Sequence, residues 1–300
     1  MITQLTHRLF GFTLVELMIT LLLTGLLVSG FFTVYLQVKT THQEEESELA
    51  ILDEALLLRL FWQQSIEGTG YMGCALLGRV PVWDALQKVW VTSPILLFSD
   101  DLSALSPSLQ RKIKPGTQVL ELRRMNFELG GLITEDPNHF SITTDAPGLK
   151  TGDRILISDC AHAEINQVST IHVGGGVQTI SLETPLQYRY GPWAYVGAYQ
   201  DFFYLLGATG RKRQDNTPIY ALYLIHPDFT SEEVSDFVSD FKVEIAQRQG
   251  GKIVYATDPG DYTLTDVLGL RLTYIITPPY LVNGKTISQN IETYVHIRGS

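Results

Sequence analysis

Three hundred residues, 45% apolar and only 18% charged, with 14 Tyr and 13 Phe, describe a chain that buries a sizeable core, and they exclude an intrinsically disordered one. A formal net charge of −10 argues against nucleic-acid binding by the body as a whole, because phosphate recognition depends on cationic contacts. Aromatic and β-branched enrichment favours strands over an all-helical body.

The first segment, Met1 to Gly11, carries His7, Arg8 and the start amine as its only basic groups. From Phe12 to Val38 the chain is apolar apart from one charged residue, Glu16. At about 1.5 Å per residue this run spans a bilayer with some tilt. It is far longer than the roughly 7–15-residue apolar core of a secretory signal peptide. Burying an ionised side chain in a bilayer costs about 2.5–3.5 kcal/mol on insertion scales, so Glu16 needs a purpose that a plain anchor does not supply. An ordinary signal-anchor helix that happens to carry a Glu is the structural alternative.

Neither Gly nor Pro occurs from Phe31 to Glu67, which predicts one continuous helix through both segments. Leu49, Leu52, Leu56 and Leu60 fall along one face, and Ile51, Ala55, Leu58 and Trp62 widen the stripe enough to pack on a sheet and leave apolar surface over. The acidic run Glu44, Glu45, Glu46 and Glu48 is read as a solvated face without chemistry. Gly68, Gly70 and Gly73 end the helix and open an irregular stretch that continues past Pro81 and Pro94.

Strand-type runs follow at Gln118 to Arg124, Phe140 to Thr144, Arg154 to Asp159, Val168 to Val173 and Val177 to Leu182. Gly174, Gly175 and Gly176 sit where a tight hairpin turn needs positive φ, and they lack the Gly-Lys-Ser/Thr ending of a phosphate loop. Aromatic strands at Gln200 to Leu206 and Ile219 to Ile225 flank a loop holding Arg211, Lys212 and Arg213, read as a solvated turn with a partner contact as the minor reading. Ser231 to Val238 reads as a short capped helix, with Ser231 as the cap and Glu232 and Glu233 in the first turn. Strands at Phe241 to Ala246, Leu268 to Ile276 and Ile287 to Ile297 complete the chain. Asp258, Asp261 and Asp266 match no EF-hand spacing and are read as turn residues, so no metal site and no cofactor is assigned.

The N-terminal motif, Gly11 followed by Phe12 and then Glu16 inside an apolar helix, resembles that of type IV prepilins and the pseudopilins of type II secretion. The resemblance implies cleavage after Gly11 by a prepilin peptidase, N-methylation of Phe12, and pairing of Glu16 with the Phe12 amine of a neighbouring subunit during assembly. Further segments are similar to the PilW type of minor pilin: GTGYMGC at Gly68 to Cys74, GDRILISDCAHAEINQV at Gly152 to Val168, TPIYALYLI at Thr217 to Ile225 and the acidic-aromatic VSDFVSDFKVEI behind it.

What that likeness implies is an α+β fold: a pilin-like long N-terminal helix, membrane-spanning in its first half, packed on a strand-rich antiparallel head. The segments are leader 1–11, transmembrane half 12–39, amphipathic periplasmic half 40–66 and head 67–300. The expected role is a minor pilin that primes type IV pilus assembly and sits at or near the tip. Its expected partners are other minor pilins, the major pilin, prepilin peptidase and a tip adhesin, with adhesion and twitching motility downstream. The chain would lie in the bacterial inner membrane as a single-pass protein with a periplasmic head, and in the pilus after assembly. A head of roughly 230 residues fits a low-copy subunit better than a closely packed shaft. In an oxidising periplasm Cys74 and Cys160 are expected to form a disulfide, unpaired buried thiols being the alternative. The nearest rival is a GspJ-like minor pseudopilin of type II secretion. A membrane-tethered periplasmic enzyme is more distant: no GxSxG, no HExxH and no metal-spaced Cys/His group occurs, and Cys160 with His162 is the closest such pair.

Overall fold

A computed structural model describes residues 13–74, 79–98, 105, 107–136, 138–257 and 267–297. One helix, α1 (Leu14–Glu67), runs unbroken for 54 residues from an N-cap at Thr13 to a C-cap at Gly68. Gly25 and Gly30 do not interrupt it. The hydroxyls of Thr20, Thr24, Ser29 and Thr33 donate to carbonyls one turn back at 2.6–3.0 Å, so these four hydroxyls are satisfied within the helix itself.

Among the described residues, the regular structure after α1 is almost entirely β. Three short strands come first, β1 (Val82–Asp84), β2 (Val89–Val91) and β3 (Ile95–Phe98), then the single turn α2 (Pro107–Gln110). Next are β4 (Val119–Met125), β5 (Gly130–Glu135), β6 (Ser141–Thr144), β7 (Arg154–Ser158), β8 (Ala163–Gly174) and β9 (Val177–Leu182). The long β10 (Tyr195–Lys212), β11 (Pro218–Ile225) and β12 (Ser231–Ser235) complete a 12-stranded sheet. A separate 4-stranded sheet holds β13 (Val238–Gln249), β14 (Lys252–Ala256), β15 (Val267–Ile276) and β16 (Gln289–His296) in the order β14-β13-β15-β16.

Part of the larger sheet closes on itself. β5 pairs with β6, β6 with β9, β9 with β8, β8 with β7, β7 with β10, and β10 returns to β5, all antiparallel, which makes a barrel of six strands. Its interior is filled by Leu132, Ile142, Ile155, Ile157, Val168, Ile180, Leu182 and Val196. Closure demands close backbone crossing at Gly130, where a Cβ would lie 1.9 Å from the Ala146 nitrogen. Gly175 and Gly176, at φ 62° and 81°, make the two-residue β8–β9 turn expected of the triple glycine.

β10 is the spine that joins the barrel to the rest. Its first residues complete the barrel, Tyr199 to Leu205 pair with β4, and Phe203 onward pairs with β11. The C-terminal half of α1 lies in the main core, where Ile51, Leu58, Trp62 and Ile66 pack with residues of both sheets, among them Leu120, Tyr204, Leu222, Phe241 and Leu272. Trp62 stacks on Phe241 at 5.4 Å between ring centres and 5° between planes, with Tyr204 5.0 Å away.

The fold is therefore α+β, with a long apolar N-terminal helix on a strand-rich head. Three expectations need correction. Ser231 to Val238 is not a helix: Ser231–Ser235 is the strand β12 at the edge of the larger sheet, because pairing with β11 outweighs the helix-start pattern, and Arg211 of β10 holds Glu233 and Asp236 on the strand's flank. Arg211 and Lys212 belong to β10 rather than to a loop, and Arg213 donates to the carbonyls of Pro278 and Pro218. The stretch after the first helix is not irregular throughout, since it supplies β1, β2 and β3. The broad apolar stripe of α1 packs in part and leaves apolar surface over, as expected: the Ile51, Leu58 and Trp62 side is buried, while Leu49, Leu52, Leu56 and Leu60 remain 55% to 61% exposed.

Candidate functional site

Gly11 and Phe12 lie outside the described residues, as do Asp258, Asp261 and Asp266. Glu16 occupies the first turn of α1, three residues after the N-cap. The Thr13 hydroxyl accepts a hydrogen bond from the Glu16 backbone N–H at 3.3 Å. Thr13-Leu14-Val15-Glu16 is thus the sequence pattern of a capping box, which places a carboxylate where unpaired N–H groups and the helix dipole favour negative charge. That signal was present in the sequence and went unread beside the Gly11, Phe12 and Glu16 pattern. Glu16 is exposed, on a helix whose apolar half buries no surface against the head.

Leu14, Leu17, Leu21, Phe31 and their neighbours are 53% to 74% exposed, and the helix contains a window of mean hydropathy 2.2, none of it buried. Length and apolar character make this segment compatible with a single-pass membrane anchor. The first charged residue beyond the run is Lys39, and the acidic residues Glu44 to Glu46 and Glu48 come a further turn or more along.

Cys74 and Cys160 are joined by a disulfide with Cα atoms 5.2 Å apart. One partner sits in the turn after α1 and the other in the β7–β8 turn, so the bond ties the helix end to the barrel. The post-helix turn is held independently by backbone pairing of Gly70 with Arg123 and of Met125 with Tyr71. In the β7–β8 turn the Asp159 carboxylate accepts from the backbone N–H groups of Ala161 and His162 at 3.1 and 2.7 Å. The disulfide consumes the Cys160 thiol, and His162 stacks on Tyr188 at 4.6 Å. No group of three His, Cys, Asp or Glu side chains suited to a metal ion occurs among the described residues.

Two buried charge groups went unnoticed in the sequence. Arg154 bridges Asp84 at 2.7 Å and Asp201 at 2.8 Å and lies over the Tyr199 ring, while Arg123 pairs with Glu121 at 2.5 Å. These contacts clamp β1, β4, β7 and β10 where the barrel meets the main sheet. Nearer the barrel end, Glu164 is fully buried and accepts from the Gln187 backbone N–H at 2.9 Å. Its other oxygen has no hydrogen-bond partner among the described residues, and burial pushes the carboxyl up to about 7. Both groups join residues far apart in the chain, so no local spacing announces them.

No family model, curated protein or solved structure matches this chain.

Proposed function

We infer that the chain is a type IV minor pilin of the PilW kind, anchored in the bacterial inner membrane through the first half of α1, with a periplasmic head. In this reading it joins other minor pilins, the major pilin and a tip adhesin to prime a filament. It acts after prepilin peptidase cuts behind Gly11 and methylates Phe12.

The observation that carries the reading is the division of labour along one unbroken helix. Its apolar first half is exposed and bears a single carboxylate, Glu16, near its start, whereas its second half is packed into the head by Ile51, Leu58, Trp62 and Ile66. An isolated anchor has no use for the carboxylate. A subunit that enters a bundle of like helices does, because a neighbour's terminal amine neutralises the charge only on assembly.

A strain lacking the chain, complemented with wild type or with Glu16→Leu, tests this when surface pili and secreted exoproteins are scored together. The expected outcome is loss of pili in the deletion, restoration by wild type, and membrane insertion without restoration by Glu16→Leu. Full restoration by Glu16→Leu would sink the charge-pairing mechanism. Loss of secretion with normal pili would instead assign the chain to the minor pseudopilins of type II secretion.

A further inference from the structure

The segment between β15 and β16 reaches down to the place where α1 leaves its apolar run. Val282 and Lys285 exchange both backbone hydrogen bonds at 2.9 Å, which closes a two-residue turn at Asn283 and Gly284, both with positive φ. The Asn283 amide donates to the Thr40 carbonyl at 3.5 Å and to the Glu44 carboxylate at 3.3 Å. Beside it, Tyr280, Leu281 and Val282 face Gln43, Glu46 and Ser47 across a cleft of about 190 Å³. The tip of the turn is therefore fixed at the height of Thr40, two residues beyond Val38.

We propose that this turn is a foot that rests in the lipid headgroup layer, with Lys285 and Lys39 meeting lipid phosphates. The proposal rests on the membrane-anchor reading of α1 given above. From Leu14 to Val38 the helix rises roughly 36 Å at about 1.5 Å per residue. A hydrocarbon core of about 30 Å takes up that length by tilt and leaves Val38 at its boundary. The headgroup layer extends about 5–7 Å further. Thr40 lies roughly 3 Å along the helix past Val38, inside that layer, and Glu44 lies roughly 9 Å past it, outside.

The chemistry of the surface sorts by the same height. Lys39 is the first charge after the apolar run, and Lys285, exposed, is adjacent to the tip, where phosphate oxygens await an ammonium. Tyr280, 42% exposed, lies beside Gln43, Glu46 and Ser47, above the layer and level with the acidic residues Glu44, Glu45, Glu46 and Glu48. A turn tied to the helix at the height of Thr40 would set how the head stands on the membrane before assembly.

The test uses the full chain reconstituted in phosphatidylethanolamine–phosphatidylglycerol vesicles, with a depth ruler of three tryptophan reporters read against the wild-type background. Leu26→Trp reports the bilayer interior, Lys285→Trp the foot, and Glu48→Trp the water above. The expected result is that Leu26→Trp is quenched by lipids labelled at the chain end and Glu48→Trp only by aqueous iodide. Lys285→Trp should then be quenched at least twofold more by headgroup-labelled than by chain-end-labelled lipids. Quenching of Lys285→Trp by iodide alone, with Leu26→Trp still quenched by lipid, overturns the foot and leaves the anchor standing. Failure of any lipid to quench Leu26→Trp overturns the anchor, and the foot with it.

Discussion

Glu164 is a carboxyl placed at a cost. Burial raises it from 4.5 to about 7, and the backbone hydrogen bonds from Gln187 and Tyr188 offset only part of that. Between those two values the folded chain holds a proton that the unfolded chain has released, so unfolding releases it and stability falls as pH rises from about 4.5 through 7. Glu121 contributes with the same sign, since burial raises it against the pull of Arg123. Glu164→Gln keeps the acceptor for Gln187 and removes the charge. Thermal unfolding of the variant is expected to show a higher Tm than wild type at pH 8 and little difference at pH 5; equal gains at both values would mean that the carboxyl is not the cause. Nothing in the local sequence marks this residue, because its burial arises when β7, β8 and the 183–194 connection come together. Thr13 and Glu16 are the opposite case, a three-residue cap spacing legible without any structure.

At the scale of elements, the uninterrupted helix was legible from the absence of Gly and Pro between Phe31 and Glu67, and most strands from their apolar alternation. The choice of packed face was not. The Leu49 to Leu60 row and the Ile51 to Trp62 row both repeat at helical spacing, and periodicity alone cannot rank two adjacent apolar rows. The aromatic cage of Phe61, Tyr204 and Phe241 around Trp62 decides it. Denaturant unfolding should separate the rows. Trp62→Ala is expected to lose about 3–5 kcal/mol through a cavity in the main core, and Leu56→Ala no more than about 0.5 kcal/mol. Equal losses would mean that the outer row is also packed. Ser231 to Ser235 shows the reverse failure, a sound helix-start pattern overruled by an open strand edge next to it.

At the scale of the whole molecule, barrel closure was the least legible feature, because it depends on β10 serving three sets of partners along 18 residues while its sequence reads only as an aromatic strand. The disulfide is the one long-range link that residue identity alone announced. It spans 86 positions and joins the end of α1 to the barrel, so in the reduced unfolded chain those two parts separate freely. Loop-closure entropy puts its worth at about 4–5 kcal/mol, and measured cases cluster at about 2–4. The Gly70–Arg123 and Tyr71–Met125 backbone bonds hold the same turn without it, which argues that the native geometry survives its removal and that the effect falls on the unfolded state. A Cys74→Ser, Cys160→Ser double variant is therefore expected to fold with an unchanged far-UV spectrum, an unfolding free energy lowered by about 2–4 kcal/mol and a correspondingly lower midpoint, its cooperativity altered only as a less compact unfolded state requires. If the midpoint instead stays at the wild-type value, the bond contributes nothing to holding the helix on the head, and the buried face of α1 alone carries that attachment.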